Sequence, residues 1–201
     1  GKIVLDAFRE LPYKVLWKFD ITDIPDVPDN VKICTWLPQQ DILRHPNIKV
    51  FITQGGHQST EEAIFSQVPI VGIPHIADQV GNVKKLVAKG GGLFLDKDAL
   101  NKESVKEAVL EVINNPKYKE SITEIAELSR DQPMTGIEKA IWWTEYVIRH
   151  KGARHFRNPA IDLPLYQYYF LDIIGFLLAV ISIFIFISHK LILLIKNFVV
   201  R

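Results

Sequence analysis

The sequence predicts an α/β fold, in which a parallel sheet flanked by helices is followed by further helices and one transmembrane helix. Three observations support this prediction. Short β-branched segments alternate with helical segments up to about residue 95, which is typical of βαβ units. One strand, at residues 50–52, is an unbroken apolar run, as expected for a strand buried on both faces. A long apolar stretch lies near the end of the chain.

The predicted elements follow one another in a regular order. The chain opens with a helical pattern at residues 1–6. Five strands are predicted by β-branched and aromatic content, at 14–19, 31–35, 50–53, 70–72 and 92–95. The helical segments between them are 41–44, 59–66 and 79–89. The glycine run at 90–92 follows a helix, so a helix C-cap turn is the preferred interpretation, rather than a phosphate-binding loop.

Three more helices are predicted after the sheet, at 102–114, 117–129 and 136–150, from apolar residues at helical spacing. The last of them contains Trp142 and Trp143, which expose much apolar area unless something covers them. We therefore predict one domain over residues 1–160, made of the sheet and these helices.

The apolar stretch at residues 170–188 predicts a membrane span. About 19 helical residues reach roughly 28 Å, enough for the bilayer of the endoplasmic reticulum at about 27 Å. We predict a transmembrane helix over 166–189, with an aromatic belt at its start: Tyr166, Tyr168 and Tyr169. Lys190, Lys196 and Arg201 predict that the tail, 190–201, is cytoplasmic. A buried helix of a soluble core is the alternative interpretation.

Composition excludes several other classes of protein. The net charge of +1 gives no footprint for nucleic acid. The single cysteine, Cys34, excludes an intrachain disulfide. A dinucleotide-dependent dehydrogenase is disfavoured because no G-x-G-x-x-G follows a first strand. We expect neither a metal site nor a bound cofactor.

A tryptophan, a glycine pair and several polar residues follow three of the predicted strands. Trp36 comes after the second strand, Gln54-Gly55-Gly56 after the third and Asp78-Gln79 after the fourth. Ligands of open α/β sheets bind at that carboxyl edge. An indole can stack on a base, and glycines at a helix start admit phosphate. These pieces together predict a site for a nucleotide that carries a diphosphate and a sugar.

The helix after the glycines adds further candidates. Ser59 supplies a hydroxyl in its first turn, and Glu62 supplies a carboxylate that suits paired ribose hydroxyls. Gln39 could bond ribose or base. Each residue also has a simpler interpretation when taken alone: a core tryptophan, a plain tight turn, or a surface carboxylate.

Together these motifs resemble the signature of UDP-glycosyltransferases, closest to the animal UDP-glucuronosyltransferase type, and the resemblance covers nearly all 201 residues. The motifs that carry it are Trp36-Leu37-Pro38-Gln39, Thr53-Gln54-Gly55-Gly56, Ser59-Thr60-Glu61-Glu62, Val68-Pro69-Ile70-Val71-Gly72-Ile73-Pro74 and Ala77-Asp78-Gln79. The resemblance implies the Rossmann-like C-terminal domain of a GT-B fold. It also implies that the family's first strand of this domain precedes Gly1.

The resemblance implies a role for each donor-binding residue. Trp36 would stack on uracil, Gln39 would meet the uridine and Glu62 would hold the ribose. Asp78 and Gln79 would hold the sugar. The diphosphate would be lined by residues of the glycine turn and the helix start: Gln54, Gly55, Gly56, Gln58 and Ser59. In this sequence Gln54 stands where the family usually has histidine, and Gln58 where asparagine is commoner.

The reaction that the resemblance implies is transfer of a hexose, glucose or glucuronic acid, from a UDP-sugar to hydroxyl groups of small lipophilic acceptors, with inversion. The UDP-sugar is then a co-substrate. The family's catalytic base, a histidine steadied by an aspartate, lies in an amino-terminal acceptor domain, so we expect no catalytic base in this chain and no activity from it alone. The resemblance also implies a role in detoxification.

The implied location is the membrane of the endoplasmic reticulum, crossed once, with the main domain in the lumen. A homo- or hetero-oligomer is compatible with this arrangement. The competing hypothesis is a truncated, non-catalytic membrane protein that associates with complete glycosyltransferases, through Trp142, Trp143 and the span.

Overall fold

The computed structural model describes residues 1–20 and 24–199, without the side chains of 198 and 199. Arg201, part of the predicted tail, lies outside the described residues. The chain divides into two compact units, Gly1–Pro133 and Met134–Arg201. The first unit ends earlier than the domain predicted over 1–160, because the helix predicted at 136–150 belongs to the second unit.

The first unit contains all five predicted strands, each within about one residue of its predicted ends. They are β1 Val15–Lys18, β2 Val31–Cys34, β3 Phe51–Thr53, β4 Ile70–Gly72 and β5 Gly92–Phe94. Its helices are α1 Lys2–Arg9, α2 Gln39–Leu43, α3 His57–Phe65, α4 Gln79–Ala88, α5 Lys102–Asn114 and α6 Pro116–Arg130.

The strands form two parallel sheets, whereas the sequence predicts one. β1 pairs with β2, and β3, β4 and β5 pair in that order. At the two ends of the β1–β2 pair, the N–H of Val15 donates to the carbonyl of Asn30 and the N–H of Phe19 donates to the carbonyl of Cys34. No backbone hydrogen bond links the two sheets within the described part of the chain. Strand pairing depends on backbone groups that every residue shares, so side-chain patterns do not reveal this division.

Two apolar clusters cover opposite faces of β4. Alternate side chains of a strand point to opposite faces, so Val71 joins one cluster and Ile70 the other. The Val71 cluster includes buried residues of α1 and α5, while Val83, Leu86 and Ile122 from α4 and α6 pack around Ile70. The three-stranded sheet is therefore covered on both faces, as its apolar strands predict.

The glycine run after α4 forms the predicted C-cap turn. Gly90 has φ +81°, and the N–H of Gly91 donates to the Leu86 carbonyl at 3.0 Å. A left-handed residue followed by such a bond is a common helix ending. This confirms the C-cap interpretation and removes the run from the list of phosphate-binding candidates.

The second unit contains three α-helices in its described residues: α7 Gly136–Arg149, α8 Leu165–Tyr168 and α9 Leu171–Val199. Its residues Leu171–Asn197 are long and apolar enough to cross a membrane, with a mean hydropathy of 2.6 and none of the apolar window buried. Within the described residues, α9 is therefore not the buried core helix of the alternative interpretation. The transmembrane helix predicted over 166–189 differs from α9 at both ends, because α9 begins at Leu171, after the separate α8, and continues past His189.

Candidate functional site

The candidate residues follow the carboxyl ends of the strands, as predicted. Trp36 lies two residues beyond β2, Gln54 directly follows β3, and Gln79 begins α4 after β4. Because β3 and β4 pair directly, the residues that follow their carboxyl ends lie close together. The amide Nε2 of Gln79 donates to Oε1 of Gln54 at 3.4 Å. The topology thus brings together residues 25 positions apart.

One group of polar side chains, the Glu62 cluster, joins the starts of α2 and α3. It consists of Gln39, Gln40, Gln58, Ser59 and Glu62. Oε2 of Glu62 accepts from Gln39 Nε2 at 2.6 Å, while Oε1 accepts from Gln40 at 2.9 Å and from Gln58 at 3.0 Å. Gln39 Nε2 also lies 3.3 Å from Ser59 Oγ. Glu62 is thus a hydrogen-bonded carboxylate and not a lone surface charge.

These contacts lower the pKa of Glu62 below its ordinary value. Hydrogen bonds from Gln40 and then Gln39 are the largest causes, Gln58 and the positive charge of Arg44 add to them, and partial burial opposes them. Hydrogen bonds to the charged form favour that form. The cluster therefore presents an anionic acceptor, suited to hydroxyl groups.

A second group, the Asp78 cluster, consists of Gln54, Asp78, Gln79 and Asn82. Asn82 Nδ2 donates to Asp78 Oδ2 at 2.7 Å and to the carbonyl of Gly55 at 3.2 Å. Oε1 of Gln79 accepts from the N–H groups of His75 and Ile76, at 2.8 and 3.1 Å. These bonds fix the start of α4 against the glycine turn, with Gln54 and Asp78 exposed and Gln79 and Asn82 half-buried at the sheet edge.

The two glycines of that turn do different things. Gly55 has φ +80°, and a Cβ there would lie 2.1 Å from Val83 Cγ2, so glycine is required for the packing of α4. At Gly56 an added Cβ would meet nothing within 4 Å. Gly56 is the N-cap of α3, and its carbonyl accepts from Thr60 N–H. Close approach of a ligand to the backbone therefore remains an explanation for Gly56, while packing explains Gly55.

Trp36 is exposed. Its relative accessibility is 73%, so the interpretation of Trp36 as a core tryptophan is wrong. No ring contact or side-chain hydrogen bond of Trp36 occurs among the described residues. An exposed indole beyond the end of a strand is available to a planar ligand.

The structure thus joins most of the predicted site residues into two clusters and leaves Trp36 apart from both. Sequence reasoning missed Gln40 and Val83. The available signal for Gln40 was its place beside Gln39 at a helix start. Val83 lies one helical turn after Gln79. No group of three or more histidine, cysteine or acidic residues in the described part of the chain could hold a metal ion.

Comparison with known proteins connects this site to a family. The sequence model of the "UDP-glucoronosyl and UDP-glucosyl transferase" family matches residues 1–201. UDP-glycosyltransferase UGT5 of Dactylopius coccus is 46% identical over 177 residues, which are 88% of this chain and 34% of that protein. UDP-glucuronosyltransferase 2B33 of Macaca mulatta is 42% identical over 190 residues, 94% of this chain and 36% of that protein. The chain spans about a third of the length of these curated relatives.

Solved structures confirm the α/β fold, as found in GT-B glycosyltransferases. The structure of Os79 from O. sativa, in a complex that includes trichothecene, matches 74% of this chain and 37% of its own, with a TM-score of 0.63 and 24% identity. The calicheamicin glycosyltransferase CalG4 matches 74% of this chain and 38% of its own, with a TM-score of 0.62 and 24% identity. At these identities the likeness concerns the fold.

Proposed function

The chain belongs to the UDP-glucuronosyl and UDP-glucosyl transferase family, and we propose that it is the donor-binding part of a UDP-glycosyltransferase. The observation that carries the proposal is the pair of polar clusters at the carboxyl ends of β3 and β4, on either side of the glycine turn. The Glu62 cluster offers an anionic acceptor, and the Asp78 cluster offers a second carboxylate with amides. Such an arrangement suits a ligand with two sets of hydroxyl groups separated by a diphosphate.

We place the donor along this edge in order. The uracil stacks on Trp36, Gln39 bonds the uridine, and the ribose hydroxyls donate to Glu62. The diphosphate lies at the N-terminus of α3, where main-chain N–H groups and the partial positive charge of the helix favour an anion. Gln54, Gly56, Gln58 and Ser59 surround that position. The sugar meets Asp78 and Gln79.

The reaction we propose is transfer of glucose or glucuronic acid to a hydroxyl group of a small lipophilic acceptor, with inversion at the sugar carbon. The acceptor oxygen attacks that carbon, its proton goes to a general base, and UDP departs with the bonding electrons. Gln54 can stabilise the departing diphosphate by donating a hydrogen bond, but unlike histidine it cannot become cationic. The base is expected outside this chain, so the purified chain should release no glycoside from UDP-sugar and a phenol; measurable turnover would contradict this.

The cellular location of the enzyme is proposed from the properties of α9. The apolar part of α9 is long and unburied, which suits a helix that crosses a membrane. Lys190 and Lys196 favour a cytoplasmic location for its C-terminal end. The donor-binding unit would then face the lumen of the endoplasmic reticulum.

Isothermal titration calorimetry with UDP tests the proposal. We expect Trp36→Ala to weaken UDP binding by about 1–3 kcal/mol, the range for loss of one base–aromatic stack. Because Trp36 is exposed, the thermal unfolding midpoint should hardly change. Trp142→Ala, in the second unit, is the matched control and should leave the affinity unchanged. Equal UDP affinity of the wild-type chain and Trp36→Ala would overturn the stacking role, and absence of UDP binding by the wild-type chain would overturn the proposed function.

A further inference from the structure

The Glu62 carboxylate divides its hydrogen bonds unevenly between its two oxygens. Oε1 accepts two amide bonds, from Gln40 at 2.9 Å and from Gln58 at 3.0 Å. Oε2 accepts one, from Gln39 at 2.6 Å. A carboxylate oxygen has about two acceptor positions. Oε1 is thus filled by protein groups, while Oε2 keeps one position open.

The two donors to Oε1 come from different elements. Gln40 belongs to α2, whereas Gln58 precedes Glu62 by one turn on α3, and the two helices contact each other. Bonds from two directions restrict rotation of the carboxylate about its last torsion angle, which is otherwise broad. The three side chains line one groove of about 230 Å³, together with Arg44. Gln40 and Gln58 therefore fix the direction in which Oε2 points.

Gln39 differs from these two amides. Its Nε2 lies between Oε2 of Glu62 and the hydroxyl of Ser59, at 2.6 and 3.3 Å. It therefore has an alternative partner within reach and can leave Glu62 without losing every hydrogen bond. Its departure would open the second acceptor position of Oε2.

We propose that Gln40 and Gln58 are positioning residues, which hold Oε1 of Glu62 so that Oε2 receives the two hydroxyl groups of a ribose. The inference rests on the proposed function, because that function places the ribose at Glu62. It goes further by assigning the choice between ribose and 2′-deoxyribose to two glutamines that need not touch the nucleotide. Through Glu62, Gln58 then also acts on the sugar of the nucleoside, in addition to its proposed place beside the diphosphate.

The test compares UDP with 2′-deoxyuridine diphosphate, both titrated calorimetrically into the full 201-residue chain. A hydrogen bond to a charged group is worth about 1.5–3 kcal/mol, so the wild-type chain should prefer UDP by about 10-fold or more. The double variant Gln40→Met/Gln58→Met should lose most of that preference, because the carboxylate can then turn. Each single variant should lose part of it. Gln167→Met, in α8 of the second unit, is the matched control and should keep the full preference.

A second readout follows the carboxylate itself. Gln40 is the largest cause of the lowered pKa of Glu62 and Gln58 a smaller one. In the double variant, the pKa from ¹³C NMR of the Glu62 side-chain carboxyl should therefore rise toward its ordinary value. Arg44 and Glu61, the other charged groups along the groove, stay in place in both proteins. A rise would show that the two amides bond the Glu62 carboxylate in solution, and an unchanged titration in a chain that remains folded would overturn the positioning role.

The outcomes separate the inference from the function on which it rests. If Glu62→Ala abolishes the preference for UDP but the double variant keeps both the preference and the low pKa, the positioning role is wrong and the ribose site stands. If UDP binds well and Glu62→Ala leaves the preference intact, the ribose does not lie at Glu62 and the proposed function fails at that residue. Loss of the preference in both variants supports the inference.

Discussion

The two compact units use apolar side chains in opposite ways. In Gly1–Pro133 the apolar residues of the central strand and of the helices around it are buried, and Ile70, Val83 and Ile122 have no exposed surface. In the second unit α7 has no buried residue, and large side chains along α9 are exposed. The first unit is a packed core, and the second presents an apolar surface.

The contrast is clearest between α5 and α7, two helices that look alike in sequence. They have 13 and 14 residues, and each begins with a capping box. The apolar stripe of α5 is buried against α1, β4 and β5, while that of α7 is exposed. An apolar stripe predicts a helix, but the elements around the helix decide whether that stripe forms part of a core.

Substitution in the first core should have the largest effect on stability. Ile122 in α6 is fully buried against α4. Ile122→Ala should lower the free energy of unfolding by about 2–5 kcal/mol, through lost burial and the cavity left behind. Urea denaturation measures this. A loss below about 1 kcal/mol would show that the site collapses around the smaller side chain and that the core is less rigid than its packing indicates.

The adjacent glycines of the turn provide a sharper pair within the same unit. Gly55→Ala forces a side chain into the left-handed region and against Val83, which should cost about 1–3 kcal/mol of stability. Gly56→Ala meets open space at φ −57°, so it should cost less, at most about 1 kcal/mol, because alanine is only a poorer N-cap of α3. Thermal unfolding of both variants checks this. Equal losses would contradict the separation of packing from ligand approach at this turn.

Sequence patterns predicted the strands well, because β-branched runs between turn residues mark each one. Helix α3 begins at His57, two residues before its predicted start at 59, and the sequence alone did not decide between an exposed and a core position for Trp36. The split into two sheets does not, since pairing depends on distant backbone groups. Likewise, Gln40 meets Glu62 only because α2 packs against α3, and Val83, which leaves no room for a Cβ at Gly55, comes from α4. Tertiary contacts of this kind have no local signal.

A smaller effect, dependent on pH, should appear where α1 meets α5. Glu10 accepts from Lys102 at 2.7 Å and from Lys106 at 2.6 Å, and these hydrogen bonds lower its pKa from 4.5 to about 2. A lowered pKa in the folded state contributes stability above the unfolded value, and this is lost as pH falls from about 4.5 to about 2. Glu10→Gln should therefore lose less stability than the wild type over this interval, by a small amount because the groups are exposed.

Melting temperatures at pH 6 and pH 3 measure the difference. Glu107→Gln, on the same helix α5, is the control and should keep the wild-type decline. If the declines of Glu10→Gln and the wild type are parallel, the two lysines do not stabilise the ionised form of Glu10.

The smallest effect is expected at Ile137 in α7, the counterpart of Ile122. Its relative accessibility is 75%, so truncation removes little buried area, and alanine has the higher helix propensity. Ile137→Ala should change the free energy of unfolding by no more than about 0.5 kcal/mol. The same urea titration that shows the large loss at Ile122 measures it. A loss above about 1 kcal/mol would mean that the apolar stripe of α7 is covered in solution. The two units would then both have covered helices and would differ only in what covers them.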